Sequence, residues 1–224
     1  MSAGTGFGAE DISRRLAGVR ETISAASGDP AAVTVVAVTK GFGPDAVEAV
    51  RDAGLLDIGE NYADELVAKA AAAGGEPEAR WHFLGSVQRN KVARLAPVVW
   101  CWQGVSRLEE GQAIAKRRPG ARVLVQVDIA GIPGRGGCDP EAVPDLVAAL
   151  RQEDLEVAGL MAVGPPGPPE AARPGFHRVA GLADRLDLRI RSMGMTDDLE
   201  VALSEGSTMV RIGRGLFGDR PVKG

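Results

Sequence analysis

The stretch Val33 to Lys40, VTVVAVTK, decides how the rest of the chain is read. It is a run of β-branched and small apolar residues, too short for a typical globular helix and too apolar for a strand with one face in water. It therefore reads as a strand buried on both faces, as in parallel sheets. Lys40 closes it, Gly41, Gly43 and Pro44 turn the chain, and apolar residues of helical period follow at Val47, Val50 and Leu55. This order places Lys40 at the C-terminal end of a parallel strand, the edge from which open α/β sheets and α/β barrels build their sites. An amine held there, its stem in apolar surroundings, can have its pKa lowered enough to attack a carbonyl. A lysine also keeps an exposed strand end from associating, and this segment alone leaves both roles open.

Outward from this unit the chain repeats it. Before it, Ala9 to Ala26 carries apolar residues at Ile12, Leu16, Val19 and Ile23, the spacing of one helix face. After it, strands are predicted at Leu55 to Gly59, Trp81 to Leu84, Val98 to Trp102, Arg122 to Ile129, Leu155 to Met161, Leu188 to Arg191 and Thr208 to Ile212. Each but the last is followed by a helical stretch. One passes Leu66 and Val67 and stops at Gly74 and Gly75; another starts from an N-cap at Ser106 and reaches Lys116. This alternation predicts a closed (β/α)8 TIM barrel, with the helix before the first strand in the place of the missing eighth. No linker interrupts it, so residues 1–224 read as one domain with 1–8 as a flexible N-terminus. The run GPPGPP from Gly164 reads as a long loop after the sixth strand.

The chain is 45% hydrophobic and 25% charged, with a formal charge of −4, which fits an ordinary soluble protein. The acidic balance argues against nucleic acid as a partner, and 4% aromatic residues leave few stacking platforms for bases. No apolar run approaches the roughly 20 residues that cross a bilayer, and MSAGTGFGAEDISRRL lacks the pattern of a secretory signal. Cys101 and Cys138 show no metal spacing, and a reduced, cytoplasmic chain accounts for them most simply.

In a barrel the polar residues after the strands look into one mouth. They are Lys40; Glu60, Asn61 and Tyr62; His82, Ser86, Gln88, Asn90 and Lys91; Arg135; and Ser192, Gly194 and Thr196, with Met161 ending the sixth strand and RIGRGLFG, Arg211 to Gly218, beyond the eighth. His82 itself reads as a buried strand residue and His177 as a helix-surface residue. Barrels often hold a phosphate between the loops after strands seven and eight. SMGMTDD, Ser192 to Asp198, and RIGRG supply glycines, a hydroxyl and two arginines in those places. Capping of the next helix by Thr196 or Asp197 is equally good local chemistry. Together with an amine at strand one, the pair points to a phosphorylated carbonyl compound.

The motifs VAVTK, GENYADE, WHFLGSVQRNK, GLMAVGPP, SMGMTDDLEVALSEGSTMVRIG and the closing FG run in order from the first strand to Gly218. In this combination the chain resembles the YggS/PROSC family of pyridoxal 5′-phosphate (PLP) homeostasis proteins. The resemblance implies a barrel similar to the N-terminal domain of alanine racemase, with PLP held as a Schiff base on Lys40. It also implies Asn61 near the cofactor ring, Ser192, Gly194, Met195 and Thr196 as the phosphate loop, and Arg211 and Gly213 as the remaining contacts. The chain departs from the pattern at Thr39 and Thr196, where the family commonly has Ser, and at Arg135, where many members carry a lysine in a Ser-Lys-Ser-Gly loop. Lys91 lies in a family motif and reads here as a solvated helix-start lysine.

Function follows from the same resemblance and the residues beside it. A PLP racemase needs an acid/base group on each face of the reacting carbon, commonly Lys and Tyr, and Tyr62 is the single tyrosine. A non-catalytic PLP carrier is therefore expected, and the resemblance implies a monomer with apo PLP-dependent enzymes as the recipients of its PLP. The alternatives are a weak amino-acid racemase with Lys40 as base, and a cofactor-free Schiff-base aldolase.

Overall fold

The computed structural model describes residues 8–74 and 78–219. The predicted flexible N-terminus, apart from Gly8, and the stop at Gly75 lie outside the described residues. The first strand, β1 (Thr34–Val38), buries Val35, Val36, Ala37 and Val38, because both of its faces are covered. Seven more strands follow: β2 (Asp57–Glu60), β3 (Arg80–Phe83), β4 (Val99–Val105), β5 (Arg122–Val127), β6 (Glu156–Ala162), β7 (Ile190–Ser192) and β8 (Met209–Ile212). All pairings are parallel and in chain order, and β8 returns to β1 through Val35 and Val210 to close the barrel.

The helices are α1 (Ala9–Ser27), α2 (Pro44–Asp52), α3 (Ala63–Ala72), α4 (Arg89–Leu95), α5 (Leu108–Ala115), α6 (Val143–Gln152), α7 (Arg173–Arg185), α8 (Leu199–Ser204) and α9 (Arg214–Phe217). Ile12, Leu16, Val19 and Ile23 form the buried face of α1, which Gly28 ends in a left-handed cap with φ 75°. This helix packs between α8 and α2, the place anticipated for it, and Arg15 ties it to the Leu216 carbonyl at 3.0 Å.

Several expectations needed correction. The last strand is followed by a helix, the short α9. Leu55 lies beyond α2, not on it, yet is buried. The fourth strand extends through Val105, and Ser106 is not the N-cap of α5. Instead, the Glu110 carboxylate reaches back to the backbone N–H groups of Ser106 and Arg107 at 2.7 and 3.2 Å. The Pro-rich run does break the sixth unit, but Pro169–Ala172 winds into a 3₁₀ turn leading into α7.

Side-chain alternation sorts the core into two layers. The larger lies between strands and helices and includes Val35, Ala37, Ile58, Leu66, Val123 and Phe176. A smaller cluster of Cys101, Leu124 and Met161 packs with Trp100 and Ile190. At the β6–β7 seam a Cβ on Gly159 would stand 2.1 Å from the Ile190 carbonyl oxygen, so only glycine admits this strand approach.

Candidate functional site

The C-terminal ends of the strands surround a cleft of about 390 Å³. This size falls within the range of small-molecule sites. Lys40 lines it from the turn after β1, half-buried, with Val38 below it and Phe42 beside it. Asn61, directly after β2, and Leu84, directly after β3, form the adjoining wall, and Met161 and Val163 continue it from β6. Met195, Thr196, Arg211, Gly213 and Arg214 complete the rim after β7 and β8.

Six of the residues expected at the site therefore meet in one cleft: Lys40, Asn61, Met195, Thr196, Arg211 and Gly213. Ser192 and Gly194 do not line it. Ser192 is fully buried in β7, and Gly194 shapes the turn behind the rim with φ 90°. A Cβ at Gly194 would stand 2.5 Å from that of Ala202, and its carbonyl accepts from the Arg211 backbone N–H at 3.0 Å. The helix cap after this loop is neither Thr196 nor Asp197. Asp198 is the N-cap residue of α8, and its carboxylate accepts from the Met195 N–H at 2.6 Å. The Thr196 hydroxyl instead accepts from the Gly215 N–H at 3.0 Å, tying the β7 loop to the β8 loop.

A second recess of about 210 Å³ adjoins the cleft and shares Asn61, Leu84, Met161 and Val163 with it. Ser86 and Arg135 line this recess, with the Arg135 guanidinium donating to the Gly164 carbonyl at 2.8 Å. Lys91 lines neither space and pairs with Asp64 at 3.0 Å on the surface. Tyr62 is exposed at the start of α3.

Glu60 turns away from the mouth, into a buried cluster behind Lys40. Its carboxylate accepts from the Thr39 hydroxyl at 2.6 Å and from the Lys69 ammonium at 2.5 Å. Lys69 also donates to the Thr39 carbonyl at 2.7 Å, and Glu65 accepts from the Gly41 N–H at 2.8 Å. Burial pushes Glu60 above the usual carboxylate range, against the opposing pull of Lys69 and Thr39. These contacts grip the backbone on both sides of Lys40. No local spacing in the sequence marks this cluster, although Lys69 lies three residues from buried Leu66 on the inner face of α3.

A second polar line runs through the barrel interior. The Arg211 guanidinium donates to the Ser192 carbonyl and hydroxyl, each at 2.7 Å, and to the Ala162 carbonyl at 2.7 Å. The Ser192 hydroxyl donates to Gln103 Oε1 at 2.7 Å, and Gln103 Nε2 lies 2.8 Å from His82 Nδ1. His82 Nε2 lies 2.9 Å from Asp57, which Arg80 also contacts at 2.9 Å. Since Gln103 Oε1 accepts from Ser192, its amide donates to His82, and the imidazole carries its own proton on Nε2 toward Asp57. Burial brings Arg211 down to about 10 and lowers His82 from its ordinary value. Asp57 is held below the usual carboxylate range because hydrogen bonds from His82 and Arg80 outweigh its burial.

A closed parallel barrel with a lysine at the first strand and an arginine and glycines at the last belongs to a known class. Residues 14–221 match the family of the alanine racemase N-terminal domain. The pyridoxal phosphate homeostasis protein of Pseudomonas aeruginosa is 40% identical over 220 residues, covering 95% of each chain. Its namesake in Escherichia coli K12 is 35% identical over 228 residues, covering 94% of this chain and 97% of the other. The structure of PipY from Synechococcus elongatus with PLP bound superposes with a TM-score of 0.80 at 28% identity, covering 92% of this chain and all of that one. The chain belongs to the pyridoxal phosphate homeostasis protein family.

Proposed function

We propose that this chain binds PLP in the cleft, as a Schiff base on Lys40, and carries it in PLP homeostasis without catalysis of its own. The observation that carries the reading is the placement of Lys40, Thr196, Arg211 and Gly213 around one cleft in a chain of this family. When bound, PLP supplies an aldehyde that an amine can trap and a ring that can withdraw electrons. The residues present fit such a group. Lys40 offers the amine, and Thr196, Gly213 and Arg214 form a small, polar rim for an anionic phosphate. Asn61 Oδ1 is buried without a hydrogen-bond partner, an acceptor for a ligand's polar atom.

The carrier reading draws support from the cleft's lining. Neither Tyr62 nor His82 belongs to it, so no histidine or tyrosine among the described residues stands across from Lys40 to move a second proton. Free Cys101 and Cys138 fit a reducing, cytoplasmic setting, and we read the molecule as a monomeric, single-domain barrel over residues 1–224. Its proposed recipients are apo PLP-dependent enzymes. No helix among the described residues is long and apolar enough to cross a membrane.

Mixing the PLP-loaded protein with an apo PLP-dependent enzyme tests the reading. Recovery of that enzyme's activity, without conversion of L- to D-amino acids by the carrier alone, is expected. Steady racemisation that Lys40→Ala abolishes would favour a weak racemase instead.

A further inference from the structure

The geometry points to Gln103 as a positioning residue: by holding the Ser192 hydroxyl, it fixes the guanidinium of Arg211, a residue that lines the cleft, and so sets how that side chain meets bound PLP. This inference rests on the reading of the cleft as a PLP site. Gln103 is fully buried in β4 and does not line the cleft. The interior of such a barrel is usually filled by branched apolar side chains, and a buried amide is costly unless its hydrogen bonds are made.

Here they are made. Oε1 accepts from Ser192, while Nε2 lies within reach of His82 and donates to the Met209 sulfur at 3.2 Å. Ser192 can donate its proton to Gln103 because it already accepts from Arg211, so each member fixes the direction of the next. Among the described residues no carboxylate forms an ion pair with Arg211, whose guanidinium donates to two carbonyls and this hydroxyl. Among the described residues the hydroxyl is thus the one side chain that hydrogen-bonds the guanidinium, and Gln103 is what orients the hydroxyl.

The test uses PLP titrations of the full-length protein followed by visible absorbance, with thermal melts as a control. In Q103M the chain is cut, and PLP binds about tenfold more weakly with a displaced absorbance band. In Q103E the introduced carboxyl still accepts from Ser192, whether its proton stays on it or moves to His82, so affinity and band return to within about twofold of the native protein. A purely packing role predicts that Q103M, of similar volume, binds like the native protein, which overturns the proposal, as does Q103E as weak as Q103M. If Q103M does not fold, S192A decides, with a comparable loss of affinity upholding the proposal and native affinity overturning it. A native protein that takes up no PLP overturns both the cleft reading and this inference, whereas native uptake with an indifferent Q103M overturns the inference alone.

Discussion

Lys69 donates to the backbone carbonyl of Thr39 at 2.7 Å, which places a buried ammonium directly behind the residue that precedes Lys40. The same ammonium neutralises Glu60, itself fully buried. Removing one partner of such a pair leaves a charge in low dielectric, a loss of about 3–5 kcal/mol. Lys69→Met is therefore expected to lower the unfolding free energy by that amount in urea. Adding Glu60→Gln to it should recover part of the loss, since no uncompensated carboxylate then remains.

His82 makes stability depend on pH. Burial lowers its folded pKa below the ordinary 6.5, so below that pH the unfolded chain takes up a proton that the folded chain refuses. Stability is then fully present above 6.5 and declines as pH falls toward the folded value, by at most about 1.4 kcal/mol per pH unit. Asp57 acts lower down: its depressed pKa adds stability above 3.8 that disappears as pH drops through the folded value. Denaturant midpoints between pH 7 and 5 should fall for the native protein and stay flatter for His82→Gln, although that variant is less stable throughout.

Asn61 should show stability and binding moving in opposite directions. Its buried Oδ1 has no partner, so replacing the amide by Asn61→Leu removes an unsatisfied acceptor from the wall of the cleft. Without added PLP the variant is expected to gain about 1 kcal/mol in urea, while its affinity for PLP falls. A variant both less stable and unchanged in binding would contradict the assignment of Asn61 to the ligand.

Gly194 has φ 90° and no room for a Cβ beside Ala202. Gly194→Ala is expected to cost about 1–3 kcal/mol. By displacing Met195 and Thr196 it should also weaken PLP binding, measured by titration, even in molecules that remain folded.

The eight-strand alternation was legible because strands buried on both faces leave dense β-branched runs, as in VTVVAV. Element ends were less so: β2 begins at Asp57, not Leu55, because hydrogen-bond register, invisible in composition, sets where pairing starts. The lining of the cleft was legible where residue type and strand end coincide, at Lys40, Asn61 and Arg211. Ser192 falls outside that lining because its hydroxyl faces into the barrel, and a serine before a glycine loop reads alike in either direction. Glu60 and Lys69 read as ordinary polar residues, because their mutual neutralisation joins a strand to a helix. The line from Asp57 to Arg211 joins five strands and left no local spacing to find.

The central claim is tested most directly by adding PLP to the purified protein, reducing with borohydride and mapping the modified peptide by mass. The account predicts a visible band that borohydride abolishes and a single pyridoxyl adduct on Lys40, lost in Lys40→Ala. An adduct on Lys91 or spread over surface lysines, with Lys40 unmodified, would contradict it.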